Sequence, residues 1–378
     1  MKSIILFCTL AIAVTACKDA PSYNNALEYA LKSNNPKIKT VLDGSEQHEI
    51  QIRYTQIDRV DGDVVFTDHD YGTDANVYFY PASTVKFPAA LATLEKLNEL
   101  DTLDRHTKFY IEGDSIETSF SRAITEIFAV SDNEANNRLV EFLGFDDLNR
   151  RIGSRTESSI RIAHRLSTAN ADDVTTKPLI IYRNDSSTVV SSPIVSRPAE
   201  ALQLKQIKKG NGFFAGDSLI SEPFDFSLKN HYPVVTQHEV LKRVIFPETF
   251  ELGQRFEISP SQREFLLEAM SALPYQVGYD RKEFYDGYVK FFMFGDSEEH
   301  IPEEIKIYNK VGYAYGTLTD CAYIHDQRND IEFLLTATIL VNSDQVFNDD
   351  HYEYDEVGIP FLAELGRQIH AYEMTRKK

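Results

Sequence analysis

The sequence predicts an α+β fold: an antiparallel β-sheet flanked by terminal helices, beside a helical lobe, with an insertion in the middle block. Three observations carry this. Period-two alternation marks strands near both chain ends, helix-spaced apolar residues mark segments outside and between them, and regular patterning fades from Ile162 to about Pro233. Strands from the two ends can join one sheet, which the terminal helices then cover.

Taken in order, Ala26 to Leu42 places Leu27, Ala30, Leu31, Ile38, Val41 and Leu42 at near-helical spacing, divided by Asn34-Asn35-Pro36. Ile50 to Ile57 alternates, Asp61-Gly62-Asp63 turns the chain, and Val64 to Thr67 returns, which is the pattern of a β-hairpin. A helix is expected from Val85 to Leu100, with Phe87, Leu91, Leu94 and Leu97 on its apolar face, Ser83 as its N-cap and Pro88 in its first turn. Residues 117–152 read as two helices separated by Ser131-Asp132-Asn133. The middle block holds strand-like pieces at Leu179 to Tyr182 and Thr188 to Val190, and helical spacing returns at Glu239 to Val244 and Ser261 to Leu273. Three strands follow, at Ile305 to Val311, Thr319 to His325 and Ile331 to Val341, and then a helix from Ile359 to Met374. There is no internal repeat, and no linker after residue 25 marks a second independent domain.

The 378 residues carry 39 Lys+Arg against 58 Asp+Glu, a formal charge of −19. A phosphate backbone attracts a basic surface, so a nucleic-acid partner is disfavoured. An apolar fraction of 42% excludes disorder along the whole chain, and 17 Gly with 14 Pro excludes a collagen-like architecture.

Met1-Lys2-Ser3 precedes an apolar run from Ile4 to Ala13. At about ten residues it falls short of the roughly 20 that a membrane-spanning helix needs, and it reads as a secretory signal. Val14-Thr15-Ala16-Cys17 resembles a bacterial lipobox. The resemblance implies that Cys17 is acylated, so that residues 1–17 are a lipoprotein signal with its lipid-anchor Cys17, 18–25 a short tether and 26–378 the folded domain. It places the protein in the bacterial cell envelope, on the membrane through its lipid. Cys8 leaves with the signal, and Cys321 alone remains, so no intramolecular disulfide is expected. The strand-like context of Cys321 reads as that of a buried small hydrophobe.

Ser83-Thr84-Val85-Lys86 brings a Ser and a Lys to one side of a first helical turn. A Lys held out of water and near other cations loses its proton readily and can serve as base for the hydroxyl. Taken alone, the pair is a capping Ser and a solvated Lys. Ser131-Asp132-Asn133 recurs where two helices meet, and Lys310-Val311-Gly312 ends a strand. The order of the three elements is that of the S-x-x-K, S-D-N and K-T-G set of serine acyl-transfer enzymes.

The chain thereby resembles class A β-lactamases and the related penicillin-recognising serine hydrolases. Phe79-Tyr80-Pro81-Ala82-Ser83-Thr84-Val85-Lys86 is similar to the family's F-x-x-A-S-T-x-K. Ser131 to Asn137 resembles S-D-N-x-A-x-N, and Tyr315 to Asp320 resembles Y-G-T-x-x-D. The resemblance implies a β-lactamase/transpeptidase-like fold over residues 26–378. It further implies that Ser83 is the acylated nucleophile, Lys86 its base, and Ser131 the proton relay to the leaving nitrogen. Asn133 would hydrogen-bond the substrate amide, and Lys310 would hold the substrate carboxylate and tune Ser131. The backbone N–H groups of Ser83 and of Tyr313, the residue after Gly312, would form the oxyanion hole. The implied partner is a β-lactam or a small molecule resembling a peptidoglycan stem peptide.

Three departures stand out. Val311 replaces the hydroxyl-bearing middle residue of K-T-G, so carboxylate binding is expected to be weaker or to use another group. The stretch Arg161 to Ser167 opens like the family's Ω loop but lacks the Glu and the Asn of E-x-x-L-N. His164 is the substitute base there that titrates near neutrality, and the plainer reading is a loop His beside Arg165 with no chemistry. The separation of Ser131 from Lys310 is long, and the extra length is assigned to residues 168–235, as a lid, an interaction surface or a solvated insertion. No H-x-H-x-D, H-E-x-x-H, G-x-G-x-x-G or P-loop spacing occurs, so neither metal nor cofactor is expected. The acidic run Asp349 to Glu356 reads as a solvated loop.

The expected function is therefore hydrolysis of a β-lactam amide through an acyl-enzyme on Ser83. The missing Glu favours, as an alternative, a D-Ala-D-Ala-type peptidase or esterase with slow deacylation. A non-catalytic envelope-binding lipoprotein on the same fold is the reading from another class, and the presence of both Ser83 and Lys86 argues against it.

Overall fold

The computed structural model describes residues 23–376, so the signal, the lipobox and Cys17 lie outside the described residues. The chain opens with α1 (Ala26–Leu31) and α2 (Pro36–Asp43), parted at the expected Asn-Asn-Pro. Asn25 and Asn35 cap them by accepting backbone N–H groups, and Pro36 sits at the first helical position, where its missing N–H costs nothing. The hairpin β1 (Gln51–Val60) and β2 (Asp63–Tyr71) follows. From the other end of the chain come β3 (Ile305–Ala314), β4 (Thr317–Asp326) and β5 (Ile331–Leu340). All five form one antiparallel sheet in the order β3-β4-β5-β1-β2, and the pair β5–β1 joins the two ends of the chain.

Burial follows position in the sheet. The central strands β4 and β5 are covered on both faces and are buried almost throughout, while β2 at the edge alternates. On one face Ile52, Tyr54, Val311, Leu318, Phe333, Leu335 and Ile339 pack against α1, α2 and the terminal helix, whose Phe361, Leu362, Leu365 and Ile369 are fully buried. Each such side chain contributes about 1.5–3 kcal/mol on burial. On the other face Ile57, Cys321, Tyr323 and Leu334 meet the helical lobe. Cys321 is buried, as its context suggests, and accepts a hydrogen bond from Thr336 Oγ1 at 3.2 Å.

The lobe contains α3 (Lys86–Asn98), α4 (Phe120–Ala129), α5 (Asn133–Leu143), α6 (Phe145–Gly153), α7 (Val234–Ile245) and α8 (Pro260–Ser271), and α9 (Ile359–Thr375) closes the far side of the sheet. Two local expectations are corrected. Residues 117–152 form three helices rather than two, because Gly144, at φ 71, breaks the second. Ser83 does not cap α3: it lies inside a 3₁₀ turn (Ala82–Val85), and the cap position falls on Val85, with no side-chain cap bond.

The middle block is tied down rather than loose. Leu179–Asn184 and Ser187–Val190 extend a small sheet that includes Lys108–Ile111. Gly212–Ala215 pairs in parallel with Val346–Phe347. Phe226 packs with Tyr78, Tyr80 and Phe347 in a third, smaller cluster beside the turn that carries Ser83. No described helix is long and apolar enough to cross a membrane.

Candidate active site

Sheet alternation decides what reaches the cleft. On β3, Val311 faces the terminal helices and is 2% exposed, so Lys310 and Gly312 face the lobe. The hydroxyl missing from the K-x-G triplet therefore belongs to a position packed in the apolar core. Gly312 runs directly beneath the 3₁₀ turn. A Cβ added to it would lie 2.7 Å from Ser83 N, 2.8 Å from Thr84 N and 2.9 Å from Pro81 O. Only a glycine lets the strand approach the nucleophile turn this closely.

The three motifs converge on one hydroxyl. Lys310 Nζ donates to Ser131 Oγ at 2.8 Å and to the carbonyl oxygen of Val311 at 2.7 Å. Lys86 Nζ donates to the carbonyl oxygen of Ser131 and reaches Ser131 Oγ at 3.2 Å. Ser131 presents its groups to both lysines from a left-handed backbone, φ 58, at the junction of α4 and α5. Asp132 then caps α5 by accepting the N–H of Ala135 at 2.7 Å. Among the described residues no hydrogen bond joins Ser83 Oγ to either lysine, so the base expected of Lys86 is engaged with Ser131.

Both lysines are removed from water, Lys86 at 0% and Lys310 at 2% exposure. Burial lowers Lys86 from 10.5 to about 7, with Asp132 opposing the fall. Burial, reinforced by the charge of Lys86, lowers Lys310 well below its usual value. Two buried ammonium groups around one hydroxyl repel each other, which favours a neutral amine among them.

Behind the sheet lies a network that the motifs do not announce. Lys290 Nζ donates to Asn309 Oδ1 at 2.7 Å and to Met270 O at 2.7 Å, and Asn309 Nδ2 donates to Asp320 Oδ1 at 2.8 Å. Burial raises the Asp320 carboxyl to about 6 and lowers Lys290 to about 7. Asp320 was legible as the end of the Y-G-T-x-x-D window. Lys290 sits in an irregular segment between a 3₁₀ turn and a single helical turn, and no periodicity marks it.

Ser83 opens onto a cleft of about 510 Å³ lined also by Asn133, His164, Ser167, Lys229 and Tyr313. Asn133 Nδ2 donates to Ser167 Oγ at 3.1 Å, across the cleft from Tyr313, which is half exposed. Asn137 clamps the loop on that side: its Nδ2 donates to Leu166 O at 2.8 Å and its Oδ1 accepts Leu166 N at 2.9 Å. Thus Ser83, Asn133 and Tyr313 line one cleft, Lys86 and Lys310 meet at Ser131 in the wall behind it, and Gly312 lies against the turn of Ser83, while Cys17 lies outside the described residues. A larger cavity of about 610 Å³, between Glu49, Lys209 and Asn342, contains none of them.

The acidic run behaves differently from a merely solvated loop. Asp350, Tyr352 and Tyr354 line the cleft, and Tyr354 Oη accepts the N–H of Gly316 at 2.8 Å. The middle block supplies Lys229 to the same cleft. His164 is no exposed loop residue either, being 6% exposed. No group of three or more His, Cys, Asp or Glu suited to a metal occurs among the described residues.

Residues 35–192 match the model of the beta-lactamase enzyme family. No curated protein matches the chain. Among solved structures, a beta-lactamase from Streptosporangium roseum superposes with a TM-score of 0.50 at 14% identity, over 88% of this chain and 96% of that one. A beta lactamase from Xanthomonas campestris pv. campestris gives 0.50 at 14% identity, over 92% and 99%. One from Desulfarculus baarsii gives 0.50 at 12% identity, over 88% and 95%. At such identities the likeness is one of fold: the chain has the α+β architecture of these proteins.

Proposed function

We propose that the protein is a serine hydrolase of the β-lactamase type that forms an acyl-enzyme on Ser83 and hydrolyses the amide of a β-lactam. One observation carries the reading: Ser131 Oγ lies between two buried lysines, 2.8 Å from Lys310 Nζ and 3.2 Å from Lys86 Nζ, two residues before Asn133, which lines one cleft with Ser83. A neutral amine there can take the Ser83 proton, and Ser131 can pass one on to the leaving nitrogen. Asn133, which lines the cleft, would bind the substrate amide, and Lys310 would hold its carboxylate. The N–H groups of Ser83 and Tyr313 flank the approach of Gly312 to the turn and would receive the oxyanion; losing one such donor typically costs about 10²–10³ in rate. Residues 1–17 fit a lipoprotein signal that would leave Cys17 as the lipid anchor of an envelope protein. Palmitate incorporation that disappears in Cys17→Ala is the expected support for that part.

The test of the enzyme reading is covalent labelling of the chain lacking residues 1–17 with a fluorescent penicillin. The native protein is expected to label stoichiometrically and Ser83→Ala not at all. No label on the native protein sinks the β-lactam reading, and equal label on both sinks Ser83 as nucleophile. A second reading, a D-Ala-D-Ala-type peptidase or esterase that retains its acyl group, is favoured by the absence of any carboxylate from residues 161–167. A single burst on a chromogenic cephalosporin, in place of steady turnover, would favour it.

A further inference from the structure

His164 is held in a single tautomer. Its Nδ1 lies 2.7 Å from the carbonyl oxygen of Arg165. A carbonyl oxygen only accepts, so Nδ1 carries the hydrogen and the lone pair resides on Nε2. The ring is fixed on its other sides as well. It lies flat against Tyr80, with centroids 6.2 Å apart and planes at 3°, and Tyr80 leads into the turn that bears Ser83. The N–H groups of Ala163 and His164 both donate to Asn230 Oδ1, at 2.8 and 3.3 Å. Leu166 is clamped by Asn137 two residues on.

Nε2 is buried and has no hydrogen-bond partner among the described residues, although His164 lines the same cleft as Ser83. Leaving a buried acceptor unpaired costs about 1–3 kcal/mol, and such an exception in a folded protein calls for a reason. A water molecule donating to Nε2 supplies one. The cleft offers few rivals for that water. Among the lining residues Asp350 is the carboxylate, and it is exposed at the rim; Lys86 and Lys310 are engaged with Ser131.

We propose that His164 is the general base of deacylation, its Nε2 taking a proton from the water that attacks the acyl carbon on Ser83. The inference rests on the acyl-enzyme reading above. In the step, a water O–H breaks, its proton goes to Nε2, and the water oxygen bonds to the acyl carbon. The tetrahedral intermediate then collapses. The C–Oγ bond breaks, its electron pair returns to Ser83 Oγ, and the proton held by the imidazolium restores the hydroxyl. The product is a free carboxylic acid, and the imidazole ends neutral as it began.

The surroundings suit a base that must start unprotonated. Burial lowers the imidazole below its usual value; the Arg165 carbonyl opposes this, Lys229 and Arg161 reinforce it, and Asp172 opposes it. His164 is accordingly neutral at neutral pH, with no proton to lose first.

The experiment follows loss of the fluorescent penicillin label after rapid removal of excess reagent, in the native chain lacking residues 1–17 and in His164→Asn. The variant is expected to label at the native rate and stoichiometry and to lose label at least about 10²-fold more slowly. Native label loss is expected to slow on acidification with a midpoint below the usual imidazole value, the direction in which burial moves His164, while the residual loss in the variant stays flat from about pH 4 to about pH 8. Equal rates of label loss with equal pH profiles overturn His164 as base and leave the acyl-enzyme intact. Should the variant fail to fold, the native profile alone decides: label loss independent of pH over that range overturns the proposal. A native protein that takes no label removes the acyl-enzyme reading and this inference together.

Discussion

Arg165 and Glu141 form a two-pronged ion pair beneath the cleft: Nε meets Oε1 at 2.7 Å and Nη2 meets Oε2 at 3.0 Å, with side chains only 1% and 2% exposed. The remaining guanidinium hydrogens are used as well. Nη1 donates to Asp173 O at 2.6 Å and Nη2 reaches Thr175 O at 3.3 Å. Glu141 Oε2 also accepts the N–H of Lys177 at 2.7 Å. Through this pair helix α5, which begins at Asn133, holds the loop that carries His164 and Ser167.

Removing one partner leaves the other charged, buried and alone. Glu141→Ala is therefore expected to cost about 3–5 kcal/mol in stability, read as a shift in the urea midpoint. The double substitution Glu141→Met with Arg165→Met removes both charges and is expected to recover most of that loss. A single variant within about 0.5 kcal/mol of native would show that the pair is not desolvated as its geometry requires.

Most of the framework was readable because it rests on local rules. Asn34-Asn35-Pro36 divides α1 from α2, and the alternation of β1 and the apolar runs of β4 and β5 place the sheet. The family windows named Ser83 and Asn133, which line one cleft, and Lys86, Ser131 and Lys310, which are joined by hydrogen bonds. What escaped depends on tertiary packing. Ser83 has the chemistry of a cap, yet the 3₁₀ turn moves the cap position two residues on, to Val85. Lys290 joins Asn309 and Asp320 only from irregular chain, and the tautomer of His164 is set by a single carbonyl contact. No period in a sequence encodes such meetings. The acidic run has the composition of a solvated loop, and only the pairing of Val346–Phe347 with the middle block carries Asp350 and Tyr354 to the cleft.

Lys86 gives the acylation step a pH signature. Its ammonium is lowered to about 7, and the free amine is the form that accepts a proton. Acylation by penicillin is expected to rise with pH through about 7 and to level above it, and Lys86→Met to lose about 10³-fold or more. An acylation rate flat across neutrality would remove Lys86 as base. The same shift acts on stability, and its sign is fixed. Between about 7 and the usual 10.5 the unfolded chain binds a proton at Lys86 that the folded chain does not. Stability from this group therefore increases as pH rises through that window, and Lys290, also lowered to about 7, adds in the same direction. Urea midpoints at about pH 7 and about pH 9 measure the sum.

Gly312→Ala tests whether the strand-to-turn contact sets the geometry of the site. The added methyl would meet Ser83 N at 2.7 Å, Thr84 N at 2.8 Å and Pro81 O at 2.9 Å, all backbone atoms that cannot rotate away. Either β3 or the 3₁₀ turn must shift. The strand is held by its ladder with β4, in which Gly312 pairs with Thr319 and Lys310 with Cys321. The turn is held at one end, where Thr84 N donates to Pro81 O at 3.1 Å, and at Ala82 it already has φ 46. The turn is the shorter and more strained of the two, so it should yield and carry Ser83 N and Oγ with it. Overpacking of this kind costs about 1–3 kcal/mol in stability. Misplacing a nucleophile by about 1 Å costs about 10²-fold in rate. The expected variant is thus folded, modestly destabilised and slowed at least about 10²-fold in acylation, and its deacylation slows as well, because that step passes through a tetrahedral carbon on the same Ser83 Oγ and uses the same oxyanion donors. Native acylation with reduced stability would show that the strand moved instead, and that the oxyanion donors tolerate the displacement.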